Sequence, residues 1–580
     1  MPSNKRSIIR RALNDFRQRL AHADALPQLA VLGVISGLVT GSVAVIFRLA
    51  VDLPLDVALP HGGSENFESL PPLIRFLLPL CGALLLGLLW SNIRPRFRQT
   101  GVTHVIERVH KHQGRLPFAN GITQFFGGAL ALISGQSLGR EGPAVQLGAT
   151  FASQLGQLIQ LPHNSLRTLV GCGVAAAIAA SFNTPLAGVI FAMEVVLMEY
   201  TISGFIPVIL ASVSGTILTR AVFGSEPAFA IPALEIATLW ELPFIAFSGL
   251  IIGLCATALL KLYTLLRKLE DKPPWLKFTI AGAITGVVGI FVPQVLGVGY
   301  DTVEAAMLGE LSLFLLLIII VGKIVTYCFS SALGIPAGSI GPSLVIGACL
   351  GGALGIIGDM LYPGTSANTG LYAMMGMGAM MGAVLNAPLA ALIAILELTY
   401  NPNLLMPSML LVVIATVCTR LFSHQPGIFQ IGLESEKFSS PVFQALSRAG
   451  VTSLMDQNFA SHSRHLPWHQ AKASLANKPK WLVVEDPGEP AILVRASNLA
   501  NFLETSETAL WDEHHEIDLL DLPGNQNLLS PIHARATLQE ALIRMDEQKT
   551  DTLYIAKTST PLGSQTAGII TRDMIDAYYQ

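Results

Sequence analysis

The chain has 580 residues, 51% of them hydrophobic and only 13% charged, with a mean hydropathy of +0.55. Soluble domains carry about 25% charged residues, so this composition excludes an ordinary soluble protein and points to one that lives in a bilayer. A net charge of −3 offers no basic excess that would call for a nucleic-acid partner.

The first segment, 1–26, begins MPSNKRSIIRRALNDFRQRL. It is basic and lacks both the apolar core and the small-residue cleavage site of a signal peptide. By the positive-inside rule it stays in the cytosol, either as a solvated tail or as an amphipathic helix lying in the interface. Uncharged apolar runs follow, among them Leu26–Phe47, Thr168–Met193, Ile324–Ile357 and Gly370–Leu396. A span takes roughly 20 apolar residues, which predicts ten or more membrane segments of uneven length. Several runs are interrupted by Gly and Pro, as expected of broken or re-entrant helices. The six cysteines (Cys81, Cys172, Cys255, Cys328, Cys349, Cys418) stand singly in apolar stretches without metal-ligand spacing, so buried thiols are expected, with no disulfide and no metal.

The membrane part repeats itself. SFNTPLAGVIFAMEVV from Ser181 matches VLNAPLAALIAILELT from Val384, and Asn183 to Glu194 and Asn386 to Glu397 are both eleven positions apart. Upstream, EGPAVQLGA from Glu141 pairs with IGPSLVIGA from Ile340. Duplicated halves, about 27–225 and 235–440, suggest a transporter or pore whose site lies at the repeat interface on broken helices.

Near residue 440 the composition turns polar, which separates a membrane domain (27–440) from a tail (450–580). The tail also repeats: WLVVEDPGEPAILVRASNLANFL from Trp481 resembles TLYIAKTSTPLGSQTAGIITRDMIDAY from Thr552. Each reads as strand, loop, strand and a helix opened by Ser or Thr, giving two small α/β units at about 450–505 and 526–580. Thr537-x-x-Glu540 between them reads as a capping box.

Chemistry concentrates at Leu138–Ala149, LGREGPAVQLGA. Gly139 and Gly142 allow close backbone approach, and Pro143 suits the first turn of a helix. A helix starting there aims free N–H groups and its positive dipole end at an anion. GIPAGSIGPSL from Gly334 has the same grammar without charge and offers amides at Ser339, Ile340 and Gly341, framed by Gly338 and Pro342. Two such helix ends converging would bind a small anion weakly enough for passage. Glu141 then reads as gate and proton carrier, because its carboxylate competes with an anion when ionised and withdraws when protonated. The structural alternative is a local Arg140–Glu141 ion pair. Glu194 and Glu397, recurring near helix ends beside Asn-Pro turns, read as structural capping or pairing groups.

LGREGP, FNTPLAG with its following Met-Glu, the GSIGP element and the paired tail together resemble the CLC family of chloride channels and proton-coupled chloride antiporters. The tail resembles a CBS-domain pair. The likeness covers about residues 30–580 and implies an all-α polytopic membrane domain of two inverted repeats with broken helices, plus a cytosolic α/β tail. It further implies a homodimer with one pore per subunit, multi-pass in a bacterial inner membrane with both termini cytosolic. Chloride is the implied cargo, the lipid bilayer the surroundings, and Glu141 the gate. The amides of Ser339 and Ile340 line the central anion site.

Three positions depart from the family pattern. The first filter element, usually Gly-Ser-Gly-Ile-Pro, is Gln99-Thr100-Gly101-Val102-Thr103, where Thr100 keeps the hydroxyl. The anion-coordinating tyrosine of the family falls on Phe443, without a hydroxyl. The inner proton-relay glutamate falls on Val195, which pulls the reading toward a channel or a weakly coupled transporter, with a tightly coupled antiporter as the alternative. No cofactor is expected. An adenine nucleotide at the tail stays open, because Thr571-Arg572-Asp573-Met574 has Met where nucleotide-binding members carry Asp.

Three rivals are weighed against this reading. An intramembrane hydrolase would rest on Ser134 and Ser137 of SGQS, yet the nearest histidines lie in the polar stretch His104–His112. A cation transporter would need several carboxylates facing one cavity. The fluoride-exporting branch fits less well, given the Gly-Arg-Glu-Gly-Pro form. The chain reads as a transport protein rather than an enzyme.

Overall fold

The structure is a computed structural model. It describes residues 26–59, 65–225, 229, 241–361, 369–433, 441–486, 491–505, 515–556 and 566–579. The basic segment expected at 1–26 therefore lies almost wholly outside the described residues. Chain contacts divide the protein into a helical unit (29–159 and 166–436) and a second unit built mainly from the C-terminal stretch (437–580) together with 160–165.

In chain order the helical unit comprises α1 (Leu26–Ala58), α2 (Pro72–Asn92), α3 (Gly101–Lys111), α4 (Phe118–Ile133), α5 (Glu141–Leu158), α6 (His163–Phe182), α7 (Pro185–Phe191) and α8 (Ile202–Phe223). The second half follows with α9 (Leu242–Arg267), α10 (Pro274–Phe291), α11 (Tyr300–Leu308), α12 (Leu313–Ala332), α13 (Ile340–Leu361), α14 (Thr369–Leu385), α15 (Pro388–Thr399) and α16 (Leu405–Ser423). Among the described residues nine helices are long and apolar enough to cross a membrane, and four more are apolar but shorter. Every membrane helix must satisfy its own backbone in lipid. The short ones, such as α7 and α15, have N–H groups of their first turns bonded by glutamates of the other repeat.

The sequence repeat is a structural repeat. Asn183 and Asn386 both take left-handed backbone (φ 60° and 55°), and Pro185 and Pro388, two residues on, open α7 and α15. Asparagine tolerates that conformation, and proline at a first helical position loses no hydrogen bond. Ten residues before each asparagine stands a glycine, Gly173 or Gly376, and each meets the glycine seven residues after the first residue of the preceding broken helix. A Cβ on Gly148 would lie 2.4 Å from the Gly173 carbonyl oxygen, and one on Gly347 would lie 2.4 Å from that of Gly376. Backbones touch where α5 crosses α6 and again where α13 crosses α14. Small residues at helix crossings permit this contact, which is why both crossings are glycine on glycine.

In the tail, strand β1 (Phe459–His462) pairs parallel with β3 (Trp481–Val484), which pairs antiparallel with β4 (Ile492–Arg495). A separate two-stranded antiparallel sheet joins β2 (His465–Pro467) with β5 (Glu516–Asp518), and β6 (Asn527–Leu528) adds to β4. The second unit repeats the pattern: β7 (Ser530–His533) is parallel to β8 (Thr552–Ala556), and β8 is antiparallel to β9 (Thr566–Thr571). Helices Ala496–Thr505 and Arg572–Tyr579 follow directly on β4 and β9, as the repeat predicted. The Thr537–Glu540 capping box forms, with both reciprocal bonds present. The tail is thus α/β and internally duplicated.

Candidate functional site

The two broken-helix elements meet directly. Gly139 N–H donates to the Gly338 carbonyl at 2.9 Å, and Gly338 N–H donates back to Gly139 at 2.7 Å, an antiparallel bridge between the repeats. Just past each glycine a helix begins, α5 at Glu141 and α13 at Ile340. Their N-termini, with unpaired N–H groups, are thereby held within one side chain's reach of each other.

Glu141 makes that reach. It is fully buried, and its Oε1 accepts from the Ile340 N–H in a short hydrogen bond and from the Gly341 N–H at 3.3 Å. Its Oε2 has no hydrogen-bond partner among the described residues. The carboxylate crosses from the first repeat onto the helix end of the second, where oriented amides favour negative charge. The neighbouring glycines leave the space it fills. A Cβ on Gly139 would come 2.1 Å from Oε2, one on Gly338 would come 2.2 Å from Oε1, and one on Gly142 would meet the Ala337 carbonyl oxygen at 2.6 Å. Pro143 and Pro342 are buried in the first turns of their helices.

Arg140 does not pair locally with Glu141. Its guanidinium stands over the Tyr300 ring, 5.0 Å from the centroid, a cation–π geometry. The structural alternative of an Arg140–Glu141 pair therefore gives way to two separate roles.

Thr100 and Gly101 lie at the N-terminus of α3 and line a cavity of about 680 Å³ together with Ser339, Ser331 and Tyr263. Ser339 thus faces this cavity, while the carboxylate engages the next two amides, Ile340 and Gly341. Arg98, Arg267, Lys272 and Lys277 line the same cavity together with Glu107, Glu270 and Asp271, and Arg267 pairs with Glu270 at 3.3 Å, so its wall is of mixed charge. Phe443 stands in a helix of the other unit, α17 (Pro441–Arg448), and is half-buried.

Val195 is buried in a π-helical turn, Ala192–Leu197. Its neighbour Glu194 is engaged elsewhere, accepting from the N–H groups of Leu389 (3.2 Å) and Ala390 (2.7 Å) at the start of α15. Glu397 accepts from Leu186 (2.9 Å) and Ala187 (2.7 Å) at the start of α7. Each half caps the other's helix, so the spacing read in the sequence sets a capping carboxylate a fixed distance beyond the asparagine turn that opens each capped helix. Of the serines of SGQS, Ser134 donates to the Ala131 carbonyl and Ser137 is buried with no hydrogen-bond partner among the described residues, while His104 bonds Gln146 and His110 bonds the Val196 carbonyl.

Sequence reasoning did not find Tyr300, which supports Arg140, nor the buried hydroxyl of Tyr327 beside Ser339. Tyr300 opens the short helix α11 beside Asp301, Tyr327 stands in ordinary apolar helix text, and only the fold brings each to the site.

A multi-pass fold of two repeats, with facing helix N-termini and a carboxylate across them, is that of a membrane transport protein. Residues 82–420 match the family described as "Voltage gated chloride channel", and the chain belongs to that family. It is 28% identical over 434 residues to the H(+)/Cl(−) exchange transporter ClcA of Vibrio campbellii, covering 72% of this chain and 92% of the relative. Among solved structures it resembles a slow cyanobacterial Cl−/H+ antiporter (TM-score 0.63, 22% identity, 71% of this chain and 98% of the other). A eukaryotic CLC transporter superposes over 94% of this chain and 97% of its own length, with TM-score 0.57 and 14% identity.

Proposed function

We infer that the protein moves chloride across a bacterial inner membrane in exchange for protons, with Glu141 as the group that both ions use. The observation that carries this reading is the Glu141 carboxylate seated on the Ile340 and Gly341 amides, a place suited to a small anion. An ionised carboxylate there excludes chloride, and a protonated one releases the seat while carrying a proton. The exchange activity named for the Vibrio campbellii relative supports coupling, and it turns the balance from the channel-like reading that Val195 suggested.

Coupling then requires a proton route that bypasses Val195, since valine binds no proton and Glu194 is committed to capping α15. A channel-like or loosely coupled protein is the second reading, and Val195 is the observation that favours it. In either case Thr100, Ser339 and Ile340 would line the anion path. The protein would act as a homodimer with both termini in the cytosol, and its tail would behave as a CBS-like pair that tunes assembly or gating. Chloride transport itself calls for no cofactor, and Met574 argues against an adenine nucleotide in the tail.

Purified protein in liposomes under separate chloride and pH gradients tests the inference. Uphill proton movement driven by chloride at a fixed ratio is the expected result. A reversal potential that follows chloride alone would instead establish the channel reading.

A further inference from the structure

The Ser339 end of the cavity holds a polar group that the gate does not use. Tyr327 of α12 is fully buried, and its hydroxyl has no hydrogen-bond partner among the described residues. A hydroxyl sealed from water without a bond is costly, and such groups in a folded protein call for an explanation. The hydroxyl nonetheless lies beside the side chains of Ser339 and Ser331.

Local structure explains the meeting. Tyr327 and Ser331 are four residues apart on α12 and share one helix face. The chain then turns at Gly334, whose φ of +92° suits glycine, and returns so that Ser339 precedes the first residue of α13. Ser331 and Ser339 line the cavity with Thr100 and Tyr263. Tyr327 therefore stands directly behind two cavity-facing hydroxyls, next to the helix end that already holds the Glu141 carboxylate.

We propose that Tyr327 supplies a hydroxyl donor to a dehydrated monovalent anion seated at the Ser339–Ile340 end of the cavity, the role for which Phe443 has no oxygen. The inference rests on reading that end as an anion seat. The amides at the α13 N-terminus can only donate, so the ligand is an anion, and the Tyr327 O–H completes the donor set from the side.

The test uses purified full-length protein and its Tyr327→Phe variant, titrated with chloride in a calorimeter and melted with and without chloride. The variant should bind chloride about tenfold more weakly, as expected when a hydrogen bond to a charged partner is lost. Without chloride it should melt no lower than the wild type, because an unbonded hydroxyl has been removed, while its chloride-dependent rise in Tm shrinks. Equal chloride affinity in the two proteins overturns the role of Tyr327 and leaves the anion seat standing. Absence of saturable chloride binding by the wild type overturns the seat itself, and the proposal with it.

Discussion

Gly139 and Gly338 exchange two backbone hydrogen bonds, at 2.9 and 2.7 Å, across the junction of the repeats. That bridge fixes the distance between two helix N-termini that are far apart in sequence. The Glu141 carboxylate fills the space beside it, where a Cβ on either glycine would strike it. If Glu141 is the gate and these amides the anion seat, the two are one construction, and perturbing either should show in the other.

Replacing Glu141 with Gln keeps the shape and removes the charge. Wild-type chloride flux should rise as pH falls, because protonation ends the competition between carboxylate and anion. In the Gln variant flux should be high and flat with pH, and proton movement should vanish. Parallel chloride-electrode and pH-dye recordings on proteoliposomes check this; a pH dependence surviving in the variant would refute the gate.

Gly338→Ala attacks the same gate from its surroundings. The added methyl would stand 2.2 Å from Oε1, so the carboxylate must leave the Ile340 amide. The variant should resemble Glu141→Gln in its flat pH profile, with Glu141 intact, and lose about 1–3 kcal/mol of stability to overpacking. Flux recordings and thermal melts on one preparation measure both.

At the paired crossings, Gly173→Ala and Gly376→Ala should destabilise by similar amounts, about 1–3 kcal/mol each, since each added methyl strikes the backbone of the facing glycine. Their effects should be near additive because the crossings share no contact partner. Melting curves of the two single variants and the double variant decide this.

Reciprocal capping makes Glu194 and Glu397 equivalent. Alanine at either position should cost about 0.5–2 kcal/mol, the worth of a lost helix cap, and leave the chloride-to-proton ratio unchanged. A shift in the ratio for Glu194→Ala alone would return that residue to the proton path.

In the tail, the Arg464 guanidinium bonds Asp518 through Nε and Nη2 and holds its carboxyl below the usual carboxylate range. A depressed carboxylate contributes stability above its unfolded pKa and loses it as pH falls through the folded value. The protection of peptides spanning β2 and β5 against hydrogen exchange in the full-length protein, taken relative to the intrinsic rate at each pH, should therefore fall below about pH 4. In Asp518→Asn it should be lower at neutral pH and less dependent on acid.

Much of this was legible in the text of the chain. Composition alone placed it in a membrane, because apolar runs of span length leave no other solvent. The repeat was legible because Asn183 and Asn386, with their prolines, must recur wherever the same broken helix is built twice. Glu141 declared itself through rarity: a carboxylate between glycines in apolar sequence has few uses. Tertiary structure decided where these pieces point. Nothing in the sequence says that Glu194 caps α15 while Glu397 caps α7, since a cap's partner is chosen by the pseudo-symmetric packing of two halves. Arg140 stands next to Glu141 in the chain yet turns to Tyr300, because adjacent side chains at a helix start diverge. Tyr327 looked like one more apolar helix residue until the turn at Gly334 set its hydroxyl behind Ser339. Sequence periodicity fixes which face a residue lies on, and only the folded chain fixes what that face meets.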